Sequence, residues 1–315
     1  MNKKTNKNIW RISRMAQVVL LLFTPVILFS QNGNEQFKWW NNKHNWDGVT
    51  PWHQYIGLST AYMGPNALPV PEVKDASLSK YPELDYSSNY YFQKGDHTAD
   101  ANIKFTYPFD RVQVSAWIVP LEYFHITDTL IRDKRAIRYE NPEGTASGDL
   151  YMGTHVKIID NPQWPDVVLG FVFRTASGSK LSMARFTDMP GYYFDLSVGH
   201  TFRPDHEKLK KIRLYGMAGF YVYQTYDLLH NQNDALLYGL GANMDFENIS
   251  ITNQLGGYYG YLDIGDRPLV YRFKFKFKQQ HFDWFLRYQY GINDFPYQST
   301  GIGFTWKIPD IKAEK

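Results

Sequence analysis

Residues Tyr271 to Lys278 read Tyr-Arg-Phe-Lys-Phe-Lys-Phe-Lys, so an extended chain throws four rings to one side and four cations to the other. A helical period of 3.6 would smear both kinds of side chain around the whole circumference, whereas a period of two sorts them completely. The segment is a strand lying between an apolar medium and water. Either a protein core or a lipid bilayer can supply the apolar side.

The N-terminus bears on that choice. Lys3, Lys4, Lys7, Arg11 and Arg14 come with no acid, an apolar run follows from Met15 to Phe29, and Ser30 precedes Gln31, the layout of a secretory signal peptide over 1–30. The run is short for a spanning helix, which needs about 20 apolar residues. Removing those five cations takes the formal charge from +3 to 3 − 5 = −2, so the basicity belongs to the export signal and a nucleic-acid partner is not expected. No cysteine is present, which excludes a disulfide framework, a thiolate nucleophile and a lipidated cysteine. Beyond residue 30 no linker or repeat divides the chain, and no helix-length apolar run occurs.

Alternation picks out about twelve strands: 54–63, 98–107, 111–119, 148–158, 166–175, 191–202, 211–223, 235–246, 248–258, 269–278, 281–291 and 299–308. Most match the roughly 9–11 residues that a tilted strand needs to cross a bilayer. Every second link is short, such as Pro108-Phe109-Asp110, while the others begin long, at 64–97 and 120–147. Aromatics make up 17% of the chain although mean hydropathy is negative, as interfacial aromatic girdles on alternating strands require. Glycines such as Gly199, Gly239, Gly241, Gly256 and Gly301 concentrate on the polar strand faces, where a closed barrel needs room for long side chains. A soluble β-sandwich is the competing architecture.

On these residues, with aromatic strand ends such as Trp117, Tyr290 and Trp306 and a final alternating run from Gly301 to Ile308, the chain resembles the transmembrane β-barrels of the Gram-negative outer membrane. The resemblance implies an all-β, antiparallel up-and-down barrel of about twelve strands over 54–308, with outer-membrane lipid as its surroundings. A Trp-rich segment 31–53 and a tail 309–315 would then be periplasmic, and both termini would lie on the short-turn side. The final run departs from the usual assembly signal because Pro309 to Lys315 follow it.

If the apolar faces meet lipid, the opposite faces form the lumen. Candidate lining residues are Lys104, Lys157, Arg174, Arg213, Arg272, Lys274, Lys276, Lys278 and Arg287 with the acid Asp195; Arg185, Asp188, Asp263, Asp266 and Arg267 are candidates for the mouth. Such cations suit a passive, porin-like channel for small anionic solutes, because rings of Arg and Lys raise local anion concentration. They equally suit a rigid, non-conducting barrel that serves as partner in an outer-membrane complex, with loops 64–97 and 120–147 as the contact surface.

A lipid-modifying hydrolase is the third reading. His125 and Thr127 share a strand face with Asn141 nearby, a faint likeness to outer-membrane phospholipases with Thr in place of Ser, whereas Ser197 and His200 are three apart and point to opposite faces. His44, Asp47 and His53 invite a metal but sit among Trp39, Trp40, Trp46 and Trp52, which read better as an aromatic anchor. With no phosphate-binding glycine loop or dinucleotide motif, no cofactor is expected.

Overall fold

The computed structural model describes residues 35–127, 136–159, 161 and 163–309; the proposed signal peptide and the tail beyond Pro309 lie outside them. Thirteen strands follow in order: β1 Glu83–Gln93, β2 Asp96–Pro108, β3 Val112–Ile126, β4 Glu143–Ala146, β5 Tyr151–Ile159, β6 Asp166–Arg174, β7 Gly191–Phe202, β8 Lys211–Gln224, β9 Gln232–Asp245, β10 Ile249–Tyr259, β11 Leu269–Phe277, β12 Phe282–Asn293 and β13 Gln298–Lys307. Each pairs antiparallel with its neighbours, and β13 returns to β1 from Glu83↔Lys307 to Phe92↔Gln298. β4 and β5 lie end to end along β3, so twelve strands make one closed turn. Closure leaves no unpaired edge, the condition for a sheet to survive in lipid.

The alternation is inverted relative to a water-soluble sheet. Along β6 and β7 the exposed positions are Leu169, Phe171, Phe173, Tyr192, Phe194, Leu196 and Val198, while Gly170, Arg174, Asp195, Ser197 and Gly199 point inward. Cross-strand ring contacts, such as Phe194 to Phe220 at 5.4 Å, tie the outward face together. An apolar belt of this extent is stable only against hydrocarbon.

Two departures from the sequence reading are instructive. Residues 54–63 are not a strand: Trp52–Tyr55 forms a 3-10 turn and the chain from Ile56 runs without sheet pairing. The first strand is instead β1, inside what reads as the loop 64–97. Its alternation is muted because Ser88 and Tyr90 point outward while Ser87 and Tyr91 point inward, so neither polarity nor aromaticity marks a face. β3 also continues past Pro120 to Ile126, because a register shift opposite Ala101/Ile103 absorbs the missing N–H. Of the expected loop 120–147, residues 120–126 and 143–146 are therefore strand; residues 128–135 lie outside the described set.

Residues 37–82 do not flank the barrel but enter it. The helix α1, Lys38–Lys43, and the chain to Gly64 cover the rim of longer loops: Ala61 N donates to Gly265 O, Gly64 N to Ala184 O, and the Arg138 guanidinium lies 3.9 Å from the Phe37 ring and 4.7 Å from the Trp52 ring. At the far rim Ser79 N donates to Gln113 Oε1 and Ile308 N to Pro82 O. Between Gly64 and Ser79 the chain crosses the lumen as an extended strap. Trp40 is thus buried on the long-loop side and is no membrane anchor, and the segment from Phe37 lies at the opposite rim from Ile308, not beside it.

Candidate functional site: the lumen and its strap

The strap begins Pro65-Asn66-Ala67-Leu68-Pro69-Val70-Pro71, and each proline removes an N–H that a lumen would otherwise have to satisfy. What remains is mostly carbonyl oxygen, and the wall answers with donors. Arg174 Nη1 donates to Ala67 O at 2.5 Å and Nη2 to Met189 O at 3.0 Å. Arg272 Nη2 donates to Val70 O at 2.5 Å, Nη1 to Pro71 O at 3.2 Å, and Nε to Gln289 Oε1 at 2.7 Å. Gln254 takes Val73 O at 2.9 Å, and Arg213 reaches Asp75 O and Ala76 O as well as Asp166 Oδ2 at 2.8 Å. Charged donors on buried carbonyls are among the stronger hydrogen bonds a protein makes.

Two lumen glycines owe their place to the strap. A Cβ on Gly239 would overlap Val73 Cγ2 and one on Gly256 would stand 2.8 Å from it, so β9 and β10 must be bare where Val73 passes. Gly301 instead makes room for Arg287 and Asn89, and Gly241 for Tyr215.

The remaining candidate cations divide by what they face. Lys157 pairs with Asp166 at 3.3 Å, Lys276 approaches Asp283 at 4.0 Å, Lys278 meets Asp245 at 3.1 Å, and Arg287 meets Glu72 at 3.1 Å. Lys104 and Lys274 face rings, at 5.6 Å from Trp117 and 4.0 Å from Phe285. Asp195 is buried and accepts from Ser197 Oγ at 2.7 Å. Sequence reasoning missed Glu72, Asp85, Asp96, Glu122 and Asp166, the first three because the strap, β1 and the first residues of β2 fall in what reads as the outer loop 64–97. The cationic excess of the lumen is correspondingly smaller than the strands alone suggest.

At the mouth the candidates separate. Arg185 is fully buried, with Nη2 on Asp96 Oδ2 at 2.8 Å, Nη1 on Thr98 Oγ1 at 2.8 Å and Glu122 Oε1 at 3.7 Å. Tyr297 donates to the same Asp96 carboxylate, and Asn66 of the strap donates to Glu122 and Asp100. Asp188 is exposed; Arg267 pairs with Asp263 and stacks on Tyr259 at 4.1 Å; Asp266 is buried beneath them, accepting from Asn233. Of these, Arg185 lies against the start of the strap, where a Cβ on Gly64 would stand 2.7 Å from its guanidinium. Leu58, Met63, Phe186 and Phe295, all buried, complete an apolar seal over the long-loop end.

The other candidate groups do not converge. His125 faces outward and meets Glu143 at 3.2 Å, while Thr127 uses its N–H on Gly95 O. Asp47 caps its own turn through Val49 N and Thr50 N, and His53 packs on Tyr226 at 4.4 Å, with burial pushing its pKa down.

Comparison of the fold with solved structures returns outer-membrane barrels. An outer membrane channel from Pseudomonas putida F1 matches with a TM-score of 0.52 at 11% identity, covering 76% of this chain and 99% of that one. The fold is that of an outer-membrane β-barrel. The NanC porin matches at 0.45 and 12% identity over 71% of this chain and 100% of its own, and the KdgM porin at 0.43 and 11% over 71% and 99%. No family model matches the chain, and no curated protein matches it in sequence.

Proposed function

We propose that this protein is an outer-membrane channel for small anionic solutes that its own strap holds shut. The carrying observation is the strap itself: a proline-rich chain crosses the lumen on hydrogen bonds from Arg174, Arg213 and Arg272, side chains that would line an anion-favouring pore once it left. Residues 1–30 serve as the export signal, the longer loops and the segment capping them face the exterior, and the short turns with Ile308 face the periplasm, the usual disposition of such barrels.

The wall is consistent with this use. Lys276 and Lys278 each keep 30% exposure near the short-turn rim, so that end of the lumen is the wetter one while the long-loop end carries the apolar seal. A second reading is a permanently closed barrel that acts as a partner in an outer-membrane complex, and the burial of Trp40, Leu58 and Met63 over the mouth favours it. Of the two contact surfaces the sequence suggests for such a partner, 64–97 is strap and strand, leaving the cap from Phe37 to Gly64 and the neighbouring long loops.

Planar-bilayer recording separates the readings. The intact chain is expected to show rare conductance steps, and a variant lacking 37–78 frequent ones with anion preference; charge reversal at Lys274, Lys276 and Lys278 to Glu is expected to invert that preference. A strap-deleted barrel that folds and inserts yet conducts nothing supports the closed partner instead.

A further inference from the structure

Beside the strap the lumen is not full. A cavity of about 250 Å³ lies between it and the barrel wall, lined among others by Asn102 and Lys104 of β2, Trp117 of β3, Lys274 of β11 and Phe285 of β12 and by Lys74 from the strap. At roughly 30 Å³ per water this is room for several waters or one compact solute. Its charged lining comprises Lys74, Lys104, Arg272, Lys274 and Arg287 against Glu72, Asp85 and Asp149, a balance of 5 − 3 = +2.

The partners of those groups matter more than the tally. Arg272 is spent on the strap carbonyls and Arg287 on Glu72. Asp85 accepts from Thr305, and Asp149 Oδ1 from Gly178 N, its Oδ2 being buried with no hydrogen-bond partner among the described residues. Lys74, Lys104 and Lys274 are left with no hydrogen bond or ion pair among the described residues, although Glu72, Asp195 and Asp75 lie within electrostatic range of Lys74, and Glu72 and Asp85 within that of Lys274. Lys74 and Lys104 repel one another, and apart from the Trp117 and Phe285 rings that Lys104 and Lys274 face, the three ammoniums have no hydrogen-bond acceptor among the described residues. Asn102 adds a side-chain amide with no hydrogen bond among the described residues.

We propose that this cavity binds a compact multivalent oxyanion, held between Lys74 of the strap and Lys104 and Lys274 of the wall. A single anion accepting from all three neutralises the excess and joins strap to barrel, so its occupancy stabilises the closed state. Monovalent chloride leaves most of the excess uncompensated, and a neutral sugar none of it relieved. The inference rests on the lumen described above but not on conduction.

The test is calorimetric titration of the purified, full-length barrel in detergent with inorganic phosphate and, separately, with citrate, against chloride and glucose. Saturable one-to-one binding of either oxyanion is expected, at least tenfold weaker in Lys104→Gln and in Lys274→Gln and unchanged in Lys210→Gln on the short-turn rim. Phosphate alone binding assigns a phosphoryl ligand, citrate alone a polycarboxylate. Folding of each variant is checked by heat-modifiable gel mobility, and Lys74→Met on the strap supplies a third variant. Absence of binding by both anions, or binding that none of the three cavity variants weakens, overturns the proposal. Because the titration uses the strapped barrel, a protein that binds but never conducts sinks only the channel, and one that conducts without binding sinks only this site.

Discussion

Arg272 Nη2 donates to the carbonyl of Val70 at 2.5 Å, joining the middle of β11 to a segment 202 residues earlier in the chain. The guanidinium is buried and spends its other donors on Pro71 O and Gln289. Replacing it by Ala strands two strap carbonyls and one amide in the lumen, at about 1–3 kcal/mol for each group left unsatisfied. A loss of only about 3 kcal/mol shifts the closed-to-open ratio roughly a hundredfold. Arg272→Ala is expected to raise the frequency of conductance steps by that order, and unchanged gating in a folded variant would show that the strap does not depend on this contact.

The fit of Val73 against Gly239 and Gly256 offers an independent handle. Gly239→Val forces the strap away from β9 and is expected to open the barrel as Arg272→Ala does, while the double variant Gly239→Val with Val73→Ala restores closure. If both single and double variants behave alike, the glycine serves the sheet's curvature and not the strap.

The barrel was legible in the sequence because lipid imposes one rule on every strand, and Tyr271 to Lys278 state that rule without ambiguity. Where a strand does not obey it cleanly it vanished: β1, with Ser and Tyr on both faces, read as loop, and Pro120 truncated β3. The strap and the cap that precedes it could not be read at all. Ile56, Leu58 and Tyr62 alternate with small residues as a lipid-facing strand does, yet Ile56 and Leu58 are buried over the mouth. Periodicity reports that a side chain avoids water, not whether lipid or protein receives it. The cations at Arg174, Arg213 and Arg272 were visible as inward-facing, but what they hold on the strap is backbone carbonyls, which carry no sequence signature.

The Arg185 cluster governs stability more than gating. Arg185→Met leaves Asp96 and Glu122 buried without their cation, which typically costs about 3–5 kcal/mol. The urea midpoint of the detergent-solubilised barrel should fall accordingly. Pairing that change with Asp96→Asn should recover part of the loss, since the carboxylate is then no longer stranded; no recovery would place the damage in packing against Phe124.

The outward belt carries the membrane assignment, and one substitution addresses it. Leu196 lies mid-strand on β7, 47% exposed, between outward neighbours Phe194 and Val198. In water, an exposed Leu→Arg change costs little. At the centre of a bilayer, Arg on the lipid face of a barrel costs about 2–4 kcal/mol, falling to about 0–1 near the interface. Refolding into lipid vesicles at a series of urea concentrations should therefore find Leu196→Arg destabilised by that larger amount, and Tyr261→Arg, on the loop between β10 and β11, nearly unaffected. Equal and small effects at both positions would mean that the Leu196 face does not meet hydrocarbon, and the outer-membrane placement of the barrel would fall with it.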